Sequence, residues 1–206
     1  MSRKPLLDAV VLALVLLPLL ATGAVAGGNP RTHDRFFLRM AVGGGWFSNK
    51  LNGVVADAEF SGFAGDADIA VGGMVAPNLA LHGTFFGWAA SNPDLKLTPG
   101  GSGPANGTAT LDAFGGGLTY YFMPANAYVS GSLGFGSFGF TPDNGPSTET
   151  GDGLAFELTT GKEWWVGNSW GLGISGAYIF SSVPENGVSD NWKGNSFCVR
   201  FSATFN

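Results

Sequence analysis

Few residues of this 206-residue chain could carry chemistry, since charged residues make up only 12% and there are two histidines and one cysteine. His82 is the histidine that falls in a periodic segment. A His serves as a base only within hydrogen-bond reach of the group it activates, and His82 lies only a few residues after the Pro77-Asn78 turn, so a structural, hydrogen-bonded role is expected. Cys198 has no partner for an intramolecular disulfide and should pack as a small buried residue. Gly171-Leu172-Gly173-Ile174-Ser175-Gly176 matches G-x-G-x-x-G, but a nucleotide site needs a strand before it and a helix after it, and neither pattern is present. Asp143, Asn144 and Gly145 with Glu149 and Asp152 offer oxygen ligands, yet their spacing does not fit a 12-residue calcium loop, so a solvated turn is expected. Asn106-Gly107-Thr108 is a glycosylation sequon by pattern only. The expectation is therefore no catalytic residue, no metal and no cofactor.

The informative charges are Arg39, Asp66, Asp68, Glu157, Glu163 and Arg200, because each sits in one phase of an alternating segment. From Phe36 to Trp46, Phe36, Leu38, Met40, Val42, Gly44 and Trp46 form one face, and Phe37, Arg39, Ala41, Gly43 and Gly45 the other. From Phe63 to Val75 the apolar face alternates with one that holds Asp66 and Asp68. At the end, Phe197, Val199, Phe201, Ala203 and Phe205 alternate with Cys198, Arg200, Ser202 and Thr204. With further segments near Leu79 to Ala89, Thr110 to Phe122, Ala127 to Phe140, Leu154 to Trp165 and Trp170 to Ser181, this gives about eight strands of roughly ten residues, the length needed to cross a bilayer at a tilt.

The connections alternate in length. Short turns stand at residues 76–78, 123–126 and 167–169, and long polar loops at 49–58, 90–107, 141–153 and 182–195. Four long loops on one rim and three short turns on the other suit a membrane barrel, with both chain ends on the turn side. Tyr120, Phe122, Tyr128, Trp164, Trp165 and Trp170 cluster beside the short turns and are expected to form a lower aromatic girdle. Trp46, Phe47, Trp88, Phe138, Phe140 and Phe180 lie beside the long loops and are expected to form the upper one.

The first 26 residues read as a cleaved secretory signal: a basic start at Ser2-Arg3-Lys4, an apolar run from Leu6 to Leu20 and a small-x-small site at Ala24-Val25-Ala26. A short segment, 27–34, then leads into a barrel over 35–206. The 10 basic and 15 acidic residues of the whole chain become 8 and 14 once Arg3, Lys4 and Asp8 are removed, a net charge of −6. That sign disfavours nucleic acid, which requires a basic surface. After the signal no run of about 18 apolar residues occurs, so the mature chain can span a membrane only as a closed barrel. The low charge and the 34 glycines also argue against a soluble, helix-rich enzyme.

On these segments, and above all on the alternating end from Phe197 to Asn206, the chain resembles the small eight-stranded outer-membrane barrels of Gram-negative bacteria, the OmpA, OmpX and OmpW type. The resemblance implies an all-β, antiparallel, up-and-down transmembrane barrel in the bacterial outer membrane. It implies contact with lipid and lipopolysaccharide, and dealings with the barrel-assembly machinery during biogenesis, with Phe201 and Phe205 as the terminal assembly signal. Phe205 is penultimate here and Asn206 follows it, a departure from the usual aromatic end. Some barrels of this size deacylate lipid A with a His-x-Ser arrangement, which His82-Gly83-Thr84 does not match.

A narrow lumen makes unpaired charge expensive, so the six charged residues are expected to form an ion-pair network that plugs the bore, with Arg39 and Arg200 on strands that meet at closure. Lys162 should snorkel to the turn-side interface. The functional expectation is a non-enzymatic, monomeric outer-membrane protein with a structural or surface-interaction role, any unidentified ligand being held by the long loops. The alternatives are a narrow pore or lateral path for small hydrophobic molecules, an enzyme acting on lipid A, or a soluble periplasmic ligand-binding barrel.

Overall fold

The computed structural model describes residues 31–53, 56–185 and 190–206. The expected export signal, and residues 27–30 of the segment after it, lie outside the described residues. In chain order the strands are β1 (Phe36–Leu51), β2 (Asp57–Ala76), β3 (Leu79–Ser91), β4 (Asp94–Thr98), β5 (Ser102–Pro104), β6 (Gly107–Phe122), β7 (Ala127–Pro142), β8 (Thr148–Glu149), β9 (Gly153–Trp165), β10 (Trp170–Pro184) and β11 (Asn191–Phe205). Among the described residues, eight of these, all but β4, β5 and β8, pair antiparallel with their neighbours around a ring. Strand β1 bonds to β2 on one side, with Val42 opposite Ala67, and to β11 on the other, with Val42 opposite Phe201, which closes the barrel.

Alternation decides which side chains go in. The outward phase is apolar and exposed, with Val42, Phe63, Phe114, Phe135, Val199 and Phe201 among its members, while the inward phase buries charge and hydroxyls. That is the reverse of a soluble ligand-binding barrel, and lipid is the solvent that such an exterior suits. The short turns are made by Pro77-Asn78 and Pro124-Ala125-Asn126. Asn78 and Asn126 adopt φ of 62° and 51°, the left-handed region that Asn tolerates better than most residues.

The strands run further toward the long-loop rim than their apolar alternation suggests. Strand β2 begins at Asp57, six residues before the expected Phe63, and β11 begins at Asn191 instead of near Phe197. The physical reason is that ladder hydrogen bonds do not depend on the outward side chain, so pairing continues where the outer face turns polar at Lys50, Glu59, Lys193 and Asn195. The long segment 90–107 is likewise not an open loop. It folds into the β4–β5 hairpin, with β4 laid along β2.

Candidate functional site

The bore is filled at three levels. In the middle, Arg200 on β11 is fully buried and reaches across to β2 and β9. Its Nε and Nη2 donate to the two carboxylate oxygens of Asp66, the Nη2 bond being 2.9 Å, and Nη2 also donates to Glu157 at 2.6 Å. Arg39 on β1 lies nearer the short turns. It donates to Asp68 and Thr119 at 3.4 Å and to Ser130 at 3.2 Å, and its guanidinium lies 4.9 Å from the centre of the Tyr128 ring. Thr84 donates to the other oxygen of Asp68 at 3.0 Å. Glu163 accepts from Thr204 at 2.6 Å and from Tyr121 at 3.2 Å. All six charged residues picked out by alternation are thus inside the barrel and at most 7% exposed. Two guanidiniums meet three of the carboxylates there and hydroxyls hold the fourth, Glu163, while Arg200 Nη1 and Glu163 Oε2 make no hydrogen bond among the described residues.

His82 belongs to this layer. Its Nε2 lies 3.0 Å from Thr119 Oγ1, and Thr119 in turn donates to Ser130 at 2.8 Å. Which partner donates in the His82–Thr119 contact follows from the ring tautomer, and the pair is closed off from the lipid face. Thr119 is fully buried, so a lipid substrate has no approach to it. Gly117 makes room for this ring: a Cβ there would stand 2.7 Å from His82 Cε1.

Above the charges sits an aromatic plug built from Phe47, Phe60, Trp88, Phe138 and Trp192. Phe47 stacks on Trp88 with centroids 4.1 Å apart, and Trp192 lies 5.1 Å from Phe138 and 5.8 Å from Phe60. The Trp192 indole donates to Glu185 at 2.7 Å, which ties the plug to the rim. Below the charges, residues preceding β1 enter the mouth of the barrel. His33 stacks on Tyr121 at 3.6 Å, sits 5.1 Å from Trp165 and bonds through Nε2 to Asn126 Oδ1 at 2.7 Å. Sequence reasoning missed this cap, and a lone His before the first strand gave no periodic signal for it.

Several expected girdle residues are corrected by this geometry. Trp46, Trp164 and Tyr120 do face outward, and Trp170 flanks Phe205 on the outer face. Trp88 and Tyr128 do not, being 6% and 1% exposed inside the barrel, and Trp165 turns inward to His33. Phe47 and Phe138 join the plug, with Phe140 packed against it, while Phe122 and Phe180 stay outside. The reason is parity: Trp88 shares its phase with His82 and Thr84, Tyr128 with Ser130, and Trp165 with Glu163. Nearness to a strand end did not override it.

At the terminus, Phe201 is exposed on the outer face, while Phe205 packs between Phe36 and Trp170, and the Asn206 amide bonds to the Ser169 carbonyl at 3.0 Å. Lys162 reaches the Ala125 carbonyl at 2.6 Å beside Trp164. Cys198 is buried against the Ala177 carbonyl. The G-x-G-x-x-G run lies wholly within β10.

No protein-family model and no curated protein matches the chain. Solved structures do. Neisserial surface protein A is 12% identical with a TM-score of 0.51, over 82% of this chain and 96% of that one. The outer-membrane protein AlkL, solved in lipid bilayers, is 17% identical with a TM-score of 0.50, over 88% of this chain and 94% of that one. OprG, an outer-membrane protein of Pseudomonas aeruginosa, is 14% identical with a TM-score of 0.48, over 86% and 100%. The first two carry the fold: this chain shares the small outer-membrane barrel architecture.

Proposed function

We propose that the protein is a non-enzymatic, monomeric barrel of the bacterial outer membrane whose role is structural or lies in contacts made by its outer rim. The observation that supports this best is an apolar exterior around a bore filled at three levels by the His33 cap, the Arg39–Arg200 layer and the aromatic plug. A filled bore gives ions no continuous water path. The membrane location rests on that exterior and on an architecture shared with Neisserial surface protein A and AlkL. In this reading the rim bearing β4, β5 and β8 faces the outside of the cell, and Phe201 and Phe205 meet the assembly machinery.

The pore reading has less support, because a pore would need the plug and the charge layer to part together. An enzyme reading would need His82 to meet a substrate, and its hydroxyl neighbour is buried. The test is conductance of the refolded protein in planar bilayers, with the protein first checked for a mobility difference between boiled and unboiled samples. A mobility shift with no current steps is expected; resolved steps in the native protein would replace this reading with the pore. In intact cells, trypsin should cut at Lys96, whereas protection of that site would reverse the orientation.

A further inference from the structure

The sequence holds five lysines, and three of them, Lys50, Lys96 and Lys193, fall in one row across the outer face at the long-loop end. Ladder register sets the row: Lys96 stands opposite Glu59, Glu59 opposite Lys50, Lys50 opposite Lys193, and Lys193 opposite Ser182. On the β4 side the charge is balanced, since Lys96 shares its face with Glu59, Asp57 and Asp94. On the β1–β11 side it is not. Lys50 pairs with Glu59 at 3.3 Å, but Lys193 is exposed and forms no ion pair among the described residues. Like charges directly opposite in a ladder are unfavourable, and an anion held between them removes the penalty.

The same three strands carry a second feature lower on the same face. Gly44 on β1, Val199 on β11 and Gly176 on β10 are register neighbours, and with Leu158, Tyr178 and Phe197 they line a recess of about 700 Å³. Gly176 floors it, since a Cβ there would meet nothing within 4 Å, while at Gly44 the Phe63 ring bounds it, 2.8 Å from where a Cβ would stand. Between recess and lysines the outer face grades from rings to polar groups, with Tyr178 donating to Asn195 Oδ1 at 2.5 Å and Ser48 to Glu59 at 2.8 Å. From Val199 to Lys193 the strand rises about 20 Å at about 3.4 Å per residue. Tilted by about 40°, that is about 15 Å along the membrane normal, half of the roughly 30 Å hydrocarbon core. The lysines therefore stand at headgroup level when the recess stands near the bilayer midplane.

We infer that the outer face of β1, β11 and β10 seats one phosphorylated lipid of the outer leaflet, its phosphate between Lys50 and Lys193 and one acyl chain in the recess over Gly176. This deepens the membrane reading above and rests on it. Glu59 sets the limit of the site on the β2 side, so its removal strengthens phosphate binding.

The test is native mass spectrometry of the refolded barrel in micelles, titrated with bis-phosphorylated lipid A, with the same lipid after phosphatase treatment, and with inorganic phosphate alone. Lys50→Gln with Lys193→Gln should weaken lipid A binding about twenty-five-fold, two lysines at a membrane surface counting about five-fold each. Gly176→Leu, which extends into open space, should weaken lipid A binding while the barrel stays folded, and Glu59→Gln should strengthen it. Equal binding of phosphorylated and dephosphorylated lipid, or no change in the double Gln variant, would overturn the site. Inorganic phosphate binding as tightly as lipid A would overturn the acyl-chain part. Failure of the wild type to show the heat-dependent mobility shift would instead sink the barrel reading, which separates the two failures.

Discussion

The charged layer of the bore and the aromatic plug above it solve the same packing problem with opposite chemistry. Around Arg39 and Arg200 the space is filled by guanidiniums, carboxylates and hydroxyls, held by bonds of defined direction between β1, β2, β6, β7, β9 and β11. Around Trp192 it is filled by aromatic rings whose contacts have no such direction. A buried ion network is fragile to the loss of one partner, because the groups left behind keep their desolvation cost without their compensation. An aromatic plug loses area and gains a void, a cost that is more evenly spread.

Arg200→Ala should therefore do the most damage. It strands Asp66 and Glu157, and a loss of about 3–5 kcal/mol is expected in urea unfolding from micelles. The comparison sharpens if Asp66→Asn and Glu157→Gln are added to Arg200→Met: most of that loss should return, since replacing all the charges together is often close to neutral. A triple variant as unstable as Arg200→Ala would show that packing, not charge, holds the layer. Trp192→Ala should cost less, about 3 kcal/mol, and leave the barrel non-conducting because the charge layer below still fills the bore. Current steps in that variant would mean that the plug alone is the seal. On the exterior, Trp46→Ala loses an edge-to-face contact with Phe63 at 5.6 Å and should cost about 1 kcal/mol. A larger loss would show that this ring does more than meet lipid.

At the polar rim, Glu59 illustrates how mild electrostatics become outside the barrel. Burial raises its pKa, but the hydrogen bond from Ser48 and the charge of Lys50 outweigh that, so the carboxyl titrates below its ordinary value. The group is largely solvated, so the ion pair with Lys50 adds little to stability.

Much of the fold and of the charged layer was legible in the sequence, for a reason that particular residues make plain. Arg39, Asp66, Glu157 and Arg200 could be placed inside because a strand's side chains alternate strictly, and one charge on an otherwise apolar ladder fixes the phase of its whole strand. The same rule applied to Trp88, Tyr128 and Trp165 puts each of them inside. Reading those rings by their distance from a turn gave the wrong face. The longer strands at the loop rim were hidden because the outward residues there are polar, and alternation fades where both faces are polar.

Composition, alternation and turn spacing by themselves determined an eight-stranded antiparallel barrel, its apolar exterior and its charged interior, since these follow from local geometry and from the solvent on each side. Only the tertiary structure decided who pairs with whom. Arg200 chooses Asp66 and Glu157 over Asp68, His33 caps Tyr121, and Lys50 stands opposite Lys193, because the stagger between strands as the sheet closes is a property of the whole ring.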